Sequence, residues 1–299
     1  MIVTGCYSLL ILKRTIKQIV PPFTLFIFRK IKVMLPMWAG GGSKFSRGDF
    51  KYGFDSFDVA RRYVFNLGLG GYEEDLFFEK LKHSASLVRD GQAIYERDTV
   101  IFDRIWYGWE LLASLMLVSQ RKVQIKVVDF GGGLGTSYRQ NSSMLKLAGI
   151  TTLWTVIEQP KLVHIGKSEF ENDFLRFIPS LSELDSPDLD VVLFGGSLCY
   201  LEDPYKILNQ TFSIGPHYII FDRTPFTDAS EDKVAVQFVP ESIYKAALPI
   251  ITFSASKFKN LMNQKYELIV EWDCDMQPDP NASTMGSLWR KVLNSSQAP

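Results

Sequence analysis

Short apolar runs recur along the second half of the chain, and a segment that can be helical follows each of them. The runs lie at residues 123–130, 152–157, 191–194 and 218–221. Apolar runs rich in β-branched residues are typical of parallel strands buried on both faces. Two later runs, at 266–272 and 287–293, have the length of a closing pair of strands. The alternation predicts a doubly wound α/β sheet over residues 120–293.

The segment that precedes these strands has a helical pattern. Apolar residues at positions 76, 77, 78 and 81 have helical spacing, and the run from Ile101 to Ser119 is rich in Leu, Ala and Trp. Asp98 is placed to cap this second helix. We therefore expect residues 45–119 to form a helical cap, residues 120–293 the α/β domain, and residues 294–299 a tail.

Charge separates a further segment, because residues 1–48 contain eight basic residues and no acidic one. A glycine-rich linker at 39–43 ends this region, so we expect residues 1–44 to be a basic, apolar arm and linker. Its apolar clusters are shorter than a membrane-spanning helix requires, and its first charges follow the apolar stretch, unlike those of a secretory signal. The arm either packs on its own protein or lies against an anionic membrane surface.

Composition narrows the class of protein. Hydrophobic residues make up 46% and charged residues 22% of the chain, a mixture typical of a globular enzyme. Lys plus Arg and Asp plus Glu are 33 each, so general attraction to nucleic acid is not indicated. Three widely spaced cysteines form neither a disulfide framework nor a zinc motif, which favours the cytoplasm.

A glycine-rich loop follows the first predicted strand and leads into a predicted helix. Its residues are Asp129, Gly131, Gly132, Gly133, Gly135 and Thr136. The glycines allow a tight turn and the close approach of a ligand. Asp129 would repel a pyrophosphate and attract a cationic ligand, and Glu158, 23 residues after Gly135, is placed to bind ribose hydroxyls. The pattern favours S-adenosylmethionine (SAM), with NAD or a purely structural turn as alternatives.

Several blocks of sequence extend this interpretation to a family. They are Asp129-Phe-Gly-Gly-Gly-Leu-Gly-Thr-Ser137, Val156-Ile-Glu-Gln-Pro160, Leu198-Cys-Tyr-Leu-Glu-Asp-Pro204, Phe221-Asp-Arg-Thr-Pro-Phe226 and Tyr95-Glu-Arg-Asp98. Over residues 45–292 the chain resembles a bacterial family of class I SAM-dependent methyltransferases often encoded beside surface-polysaccharide glycosyltransferases. The resemblance implies a Rossmann-like seven-stranded sheet and methylation of a sugar or other small molecule in surface-glycan biosynthesis. It also adds Gln159 to the expected cofactor contacts.

The main candidate catalytic residues follow the carboxyl ends of the predicted strands. Asp222 is a candidate to accept a proton from an acceptor hydroxyl or amine, and Arg223 to orient the acceptor, unless the two merely form a turn. Ser197 and Leu198 are expected near the cofactor sulfur. The remaining candidates are Asp98 for catalysis and Tyr95, Arg97 and Tyr138 for acceptor binding.

The three histidines, His83, His164 and His217, are poorly placed for catalysis, and no convincing set of metal ligands is present. Two other functions stay open. One is a SAM-binding scaffold without activity, and the other is an NAD-dependent oxidoreductase or epimerase.

Overall fold

The computed structural model describes residues 49–71, 75–120, 122–184, 188–240, 243, 245–274 and 281–292. The predicted arm at 1–44 and the tail at 294–299 lie outside these residues. The helices are α1 (Phe57–Asn66), α2 (Asp75–Arg89), α3 (Trp109–Ser119), α4 (Thr136–Leu147), α5 (Pro160–Glu169), α6 (Pro204–Ile214) and α7 (Ala255–Met262). The strands are β1 (Phe50–Phe54), β2 (Tyr95–Arg97), β3 (Val100–Phe102), β4 (Gln124–Phe130), β5 (Thr151–Ile157), β6 (Leu175–Ile178), β7 (Val191–Gly195), β8 (Tyr218–Thr227), β9 (Lys233–Phe238), β10 (Ala247–Ser254), β11 (Tyr266–Asp273) and β12 (Ser283–Lys291).

The main sheet has ten strands, and seven of them form its central part in the order β6-β5-β4-β7-β8-β12-β11. Strands β4 to β8 are parallel to one another, and β12 runs antiparallel to both β8 and β11. The first five strands have the 3-2-1-4-5 order of doubly wound nucleotide-binding folds. The Rossmann-like seven-stranded sheet that the class I methyltransferase resemblance implies is therefore confirmed, as is the closing strand pair.

Alternating side chains bury both faces of this sheet. Val127 and Leu193 belong to a core with apolar residues of α2, α3, α4 and α5, whereas Val128 and Phe194 belong to a second core with residues of α6 and α7. All four of these strand residues are at most 1% exposed. Since successive residues of a strand point to opposite faces, a strand packed by helices on both sides must be apolar throughout. That requirement accounts for the continuous apolar runs in the sequence.

A short extension of the sheet was not expected. Strands β1, β9 and β10 pair antiparallel with one another, and β10 joins β8 through Phe253 and Ser254, beyond the point where β7 ends. Helix α1 covers this extension, where Ala60 and Val64 pack against Val236 and Ala247. The segment at 45–119, expected as a helical cap, therefore contains a strand, β1, before its first helix.

A hairpin replaces the predicted start of a helix at residue 98. Strands β2 and β3 pair antiparallel, and Asp98 and Thr99 form the two-residue turn with φ angles of 49° and 70°. The predicted cap at Asp98 is wrong, because the next helix begins at Trp109. Two-residue hairpin turns of this left-handed kind usually contain Gly or Asn. A β-branched Thr99 therefore gave no turn signal in the sequence.

Candidate functional site

A cavity of about 740 Å³ opens at the carboxyl ends of β4, β5, β7 and β8. Its volume lies within the range of about 300–1,000 Å³ that small-molecule sites occupy. Of the predicted site residues, thirteen line it: Tyr95, Arg97, Asp98, Asp129, Gly131, Gly132, Gly133, Thr136, Glu158, Gln159, Ser197, Asp222 and Arg223. The fold thus brings together side chains that are up to 128 positions apart in the sequence, between Tyr95 and Arg223.

The loop between β4 and α4 adopts a conformation that requires glycine. Gly131, Gly133 and Gly135 have φ angles of 72°, 59° and 91°, in the left-handed region. At Gly132 the reason is space, because a Cβ atom there would lie 2.5 Å from Oδ2 of Asp129. The loop therefore brings its backbone directly against the carboxylate that precedes it.

The amide groups of this loop are largely used within the protein. Gly131 donates to the Ile157 carbonyl (2.8 Å), Gly133 to Oε1 of Glu158 (3.1 Å), and Gly135 to the Gly132 carbonyl (3.1 Å). A loop that cradles phosphates instead directs its amides at the ligand. The amides of Gly131, Gly133 and Gly135 therefore already have acceptors within the protein, and the Gly133 amide is used to hold Glu158.

Asp129 is the buried acid at the end of β4. Its side chain is 1% exposed, and Nε1 of Trp154 donates to its Oδ2 at 3.2 Å. Burial raises the pKa of Asp129 to about 7, although hydrogen bonds from Trp154 and Ser137 act in the opposite direction. A cationic group in the cavity would favour the ionised form of this carboxyl.

Glu158, at the end of β5, is the second acid of the cavity. Its Oε1 accepts from the Gly133 amide, and its Oε2 accepts from the Gln159 amide at 2.9 Å. Burial raises the pKa of Glu158, whereas these two backbone hydrogen bonds lower it. The two amides fix the carboxylate, and each of its oxygens keeps capacity for a further hydrogen bond from a ligand hydroxyl.

Asp222 and Arg223 lie within β8, next to the end of β7. Arg223 has a φ of 54°, and its Nη2 donates to the Gly195 carbonyl at 2.6 Å. Its Nε lies 3.6 Å from Oδ2 of Asp222, and both side chains are less than a quarter exposed. The left-handed backbone at a non-glycine residue is the kind of strain that concentrates at functional sites. The two residues do not form a simple turn, because both lie within β8, at the irregularity where its register with β12 shifts.

Cys274 is a neighbour of Asp222 that the sequence did not indicate. Its Sγ donates to Oδ1 of Asp222 at 3.7 Å, and burial raises the pKa of the thiol to about 12. The thiol therefore remains protonated at neutral pH and acts as a weak donor to the carboxylate. A contact across 52 residues has no local signal in the sequence.

The β2–β3 hairpin supplies a polar edge of the cavity. Tyr95 is 3% exposed and its hydroxyl accepts from Nε of Arg97 at 3.0 Å. Between them, Glu96 points away and accepts from Arg139 (3.2 Å) and from the Thr136 hydroxyl. Asp98 lies exposed at the turn. The hairpin is thus tied to the start of α4, which keeps its polar side chains at the cavity.

Three predicted contacts are corrected, because their residues lie outside the cavity lining. Gly135 is the N-cap of α4, and Leu175 fills the space beside it. Leu198 is 1% exposed in the core below the cavity. Tyr138 packs edge-on against Trp154, with ring centroids 6.1 Å apart. The side chains of Leu198 and Tyr138 contact the core, and each follows directly after a residue that lines the cavity, Ser197 or Ser137.

The histidines and metal ligands can be placed as well. His83, His164 and His217 are exposed and lie outside the cavity lining, and His217 contacts Asp188 at 2.8 Å. Within the described part of the chain, no group of three or more His, Cys, Asp and Glu side chains could hold a metal ion. No helix among the described residues is long and apolar enough to cross a membrane.

Comparison with known proteins gives structural similarities at low identity. No family model and no curated protein matches the chain. A 1,6-didemethyltoxoflavin-N1-methyltransferase of Burkholderia thailandensis, solved with S-adenosylhomocysteine, matches 72% of this chain and 88% of its own (13% identity, TM-score 0.40). A SAM-dependent methyltransferase of Methanosarcina mazei matches 60% and 98% (13% identity, TM-score 0.44). The N-terminal domain of EvdMO1, solved with S-adenosylhomocysteine and D-fucose, matches 75% and 100% (13% identity, TM-score 0.44).

Proposed function

We propose that this chain is a SAM-dependent methyltransferase that transfers a methyl group to a hydroxyl, or to an amine, of a small molecule. The observation that carries the proposal is the chemistry of the glycine loop. Three of its amides donate within the protein, and two acids beside it, Asp129 and Glu158, line the cavity. Two acids beside a glycine loop that a ligand can approach closely fit a ligand with a cationic group and a ribose better than a ligand with phosphates.

The residues present fit SAM. Asp129 is placed to bind an ammonium group, and Glu158, held by two amides, is placed to accept hydrogen bonds from ribose hydroxyls. Gly131 and Gly132 leave room where a Cβ would clash with Ser197 and Asp129. When bound, SAM supplies a methyl group already activated by its sulfonium.

The chain must then align the acceptor and remove its proton. Asp222 is the candidate base, since it lines the cavity and is held between Arg223 and Cys274. Arg223, fixed by the Gly195 carbonyl, orients the acceptor, and Tyr95, Arg97 and Asp98 add polar side chains to the cavity lining. Alignment and proton removal are the two contributions that such a displacement requires of a protein.

The wider setting rests on other grounds. The proposal that the acceptor is a sugar of surface-glycan biosynthesis is based on the sequence resemblance. The proposal of a cytoplasmic location is based on the three widely spaced cysteines, which form no disulfide framework. Contact with the inner face of a membrane comes from the basic, apolar composition of residues 1–48. These are proposals for the same function and not separate functions.

Calorimetry tests the proposal. We expect S-adenosylhomocysteine to bind the wild-type chain, and NAD not to bind at the same concentrations. Glu158→Ala removes a charged acceptor from the ribose hydroxyls, worth about 1.5–3 kcal/mol, and should weaken S-adenosylhomocysteine about 10- to 100-fold. His164→Ala, an exposed change on α5, is the control. Equal affinity in Glu158→Ala and wild type would remove the assignment of Glu158 to the ribose. Saturable NAD binding without S-adenosylhomocysteine binding would refute the proposal.

A further inference from the structure

The β2–β3 hairpin needs support from the rest of the protein. It has three residues in each strand and pairs with no other strand among the described residues. A two-stranded hairpin alone is at best marginally stable in water. Its turn also holds Thr99, a β-branched residue, at a φ of 70°, where such a residue is strained. The position of the hairpin therefore depends on its contacts outside the hairpin.

Glu96, the middle residue of β2, makes such contacts. It is 1% exposed, whereas its neighbours Tyr95 and Arg97 line the cavity. Its Oε1 accepts hydrogen bonds from the Thr136 hydroxyl and from Nη2 of Arg139 (3.2 Å), both on α4. Since successive residues of a strand point to opposite faces, holding Glu96 in place also directs Tyr95 and Arg97.

The same two residues of α4 are joined to the glycine loop. Nη1 of Arg139 donates to the Leu134 carbonyl at 2.7 Å. Thr136 directly follows Gly135, the N-cap of α4, and also lines the cavity. A continuous chain of contacts therefore runs from the glycine loop, through Arg139 and Thr136, to Glu96 in the hairpin.

A buried ion pair is a costly way to hold a hairpin. Burial raises the pKa of Glu96 and lowers that of Arg139, since each charge is removed from water. Oε2 of Glu96 is buried and has no hydrogen-bond partner within the described part of the chain. Apolar side chains of similar volume often replace a buried ion pair without loss of stability. What the pair provides is direction, because hydrogen bonds require a defined geometry and apolar contacts do not.

We propose that Glu96 is a positioning residue that couples the hairpin to the cofactor. A ligand that fixes the glycine loop fixes Leu134 and Thr136, and the carboxylate of Glu96 then holds Tyr95 and Arg97 at the cavity. The inference rests on the proposed function, since SAM is the ligand proposed for this loop. It implies that the cofactor orders side chains proposed to bind the acceptor before the acceptor arrives.

Hydrogen exchange of the full chain, measured by mass spectrometry with and without saturating S-adenosylhomocysteine, tests the coupling. The amides of residues 95–102 are followed over the first minutes, when local opening dominates over global unfolding. In wild type we expect S-adenosylhomocysteine to slow their exchange about fivefold or more, the lower end of typical coupling between two sites. In Glu96→Ala, S-adenosylhomocysteine should still bind, but these rates should change by less than about twofold.

More conservative variants separate positioning from loss of stability. Glu96→Gln keeps an oxygen that can accept from Thr136 and Arg139, and should retain the slowing. Thr136→Val keeps the shape of the side chain but removes the hydroxyl donor, and should reduce the slowing to about twofold or less. Its matched control is Thr211→Val on α6, outside the cavity lining, whose buried hydroxyl donates to the Ile207 carbonyl at 2.9 Å. This control should retain the slowing.

The outcomes separate this inference from the proposed function. If S-adenosylhomocysteine fails to bind wild type, the proposed function is refuted, and the coupling with it. If it binds, but slows exchange at residues 95–102 equally in wild type and Glu96→Ala, or in neither, the coupling through Glu96 alone is overturned. If Glu96→Ala does not fold, Thr136→Val decides, because an unchanged slowing in that variant also overturns the coupling.

Discussion

Asp129→Asn should make this protein more stable at neutral and alkaline pH. Burial raises the pKa of Asp129 from 3.8 to about 7. At 1.36 kcal/mol per pKa unit, ionising this carboxyl in the folded chain costs about 4 kcal/mol more than in the unfolded chain. Asparagine has nearly the same shape, retains an oxygen for the Trp154 indole, and carries no charge to bury.

The direction of the pH dependence follows from proton binding. The folded chain holds the Asp129 proton up to about pH 7, whereas the unfolded chain releases it near pH 4. The folded state therefore binds more protons across this window, and the free energy of unfolding falls as pH rises through it. Above about pH 7 this contribution is constant.

Urea unfolding of the wild type and Asp129→Asn, at intervals from pH 4 to pH 8.5, measures the effect. Burial also raises the pKa of Glu96 and of Glu158, so the difference between the two chains is the informative quantity. Between about pH 4 and pH 7, the free energy of unfolding of Asp129→Asn should rise by about 4 kcal/mol relative to that of the wild type. Above that pH the difference should be constant. The control is Asp173→Asn, which removes one exposed carboxylate.

Two results would refute this reasoning. If the difference in free energy of unfolding between wild type and Asp129→Asn does not vary with pH, ionising the buried carboxyl does not destabilise the folded chain as we expect. If Asp129→Asn is the less stable chain at pH 8, the ionised form is stabilised within the protein and the environment of Asp129 has been misjudged.

Three further predictions concern the site. Gly132→Ala places a methyl 2.5 Å from Oδ2 of Asp129, so the affinity for S-adenosylhomocysteine, measured by calorimetry, should fall at least tenfold. The control is Gly108→Ala, whose added methyl makes only ordinary van der Waals contacts and should leave the affinity unchanged. Asp222→Asn should bind S-adenosylhomocysteine as wild type does, yet fail to restore the methylated metabolite when returned to a deletion strain whose metabolites are compared by mass. Arg139→Leu leaves the 1% exposed Glu96 carboxylate without its ion pair and should destabilise the chain by about 3–5 kcal/mol in urea unfolding, with a smaller loss when Glu96 is already Gln.

Each of these has a result that contradicts it. Equal losses of affinity in the two glycine variants would show that the effect is general and not a displaced carboxylate. Restoration of the metabolite by Asp222→Asn would remove Asp222 as the base. Additive effects of Arg139→Leu and Glu96→Gln would show that the two side chains are not energetically coupled.

The sequence predicted the parts of the fold that local patterns determine. Runs such as Val191–Gly195 are apolar at every position because helices cover both faces, and that requirement is visible without a structure. The glycine loop, Asp129 and Glu158 were likewise predictable, because they are fixed by the ends of β4 and β5. Their positions follow from the order of strand, turn and helix along the chain.

Elements that depend on distant pairing were missed. β1 pairs with β9, nearly two hundred residues later, and nothing in Phe50–Phe54 marks it as part of a sheet. The β2–β3 hairpin has Thr99 where a glycine would have signalled the turn. In both places the stability of the strand comes from its partner and not from its own residues.

The parallel sheet, the glycine loop and the two acids beside it can be predicted from neighbouring residues alone. Three other relations depend on packing: the Gly133 amide donates to Glu158, the Cys274 thiol donates to Asp222, and residues of α1 and β10 line the same cavity. These relations join residues from separate strands and helices. They exist only after the chain has packed, because hydrogen bonding and burial depend on distance in space and not on distance along the sequence.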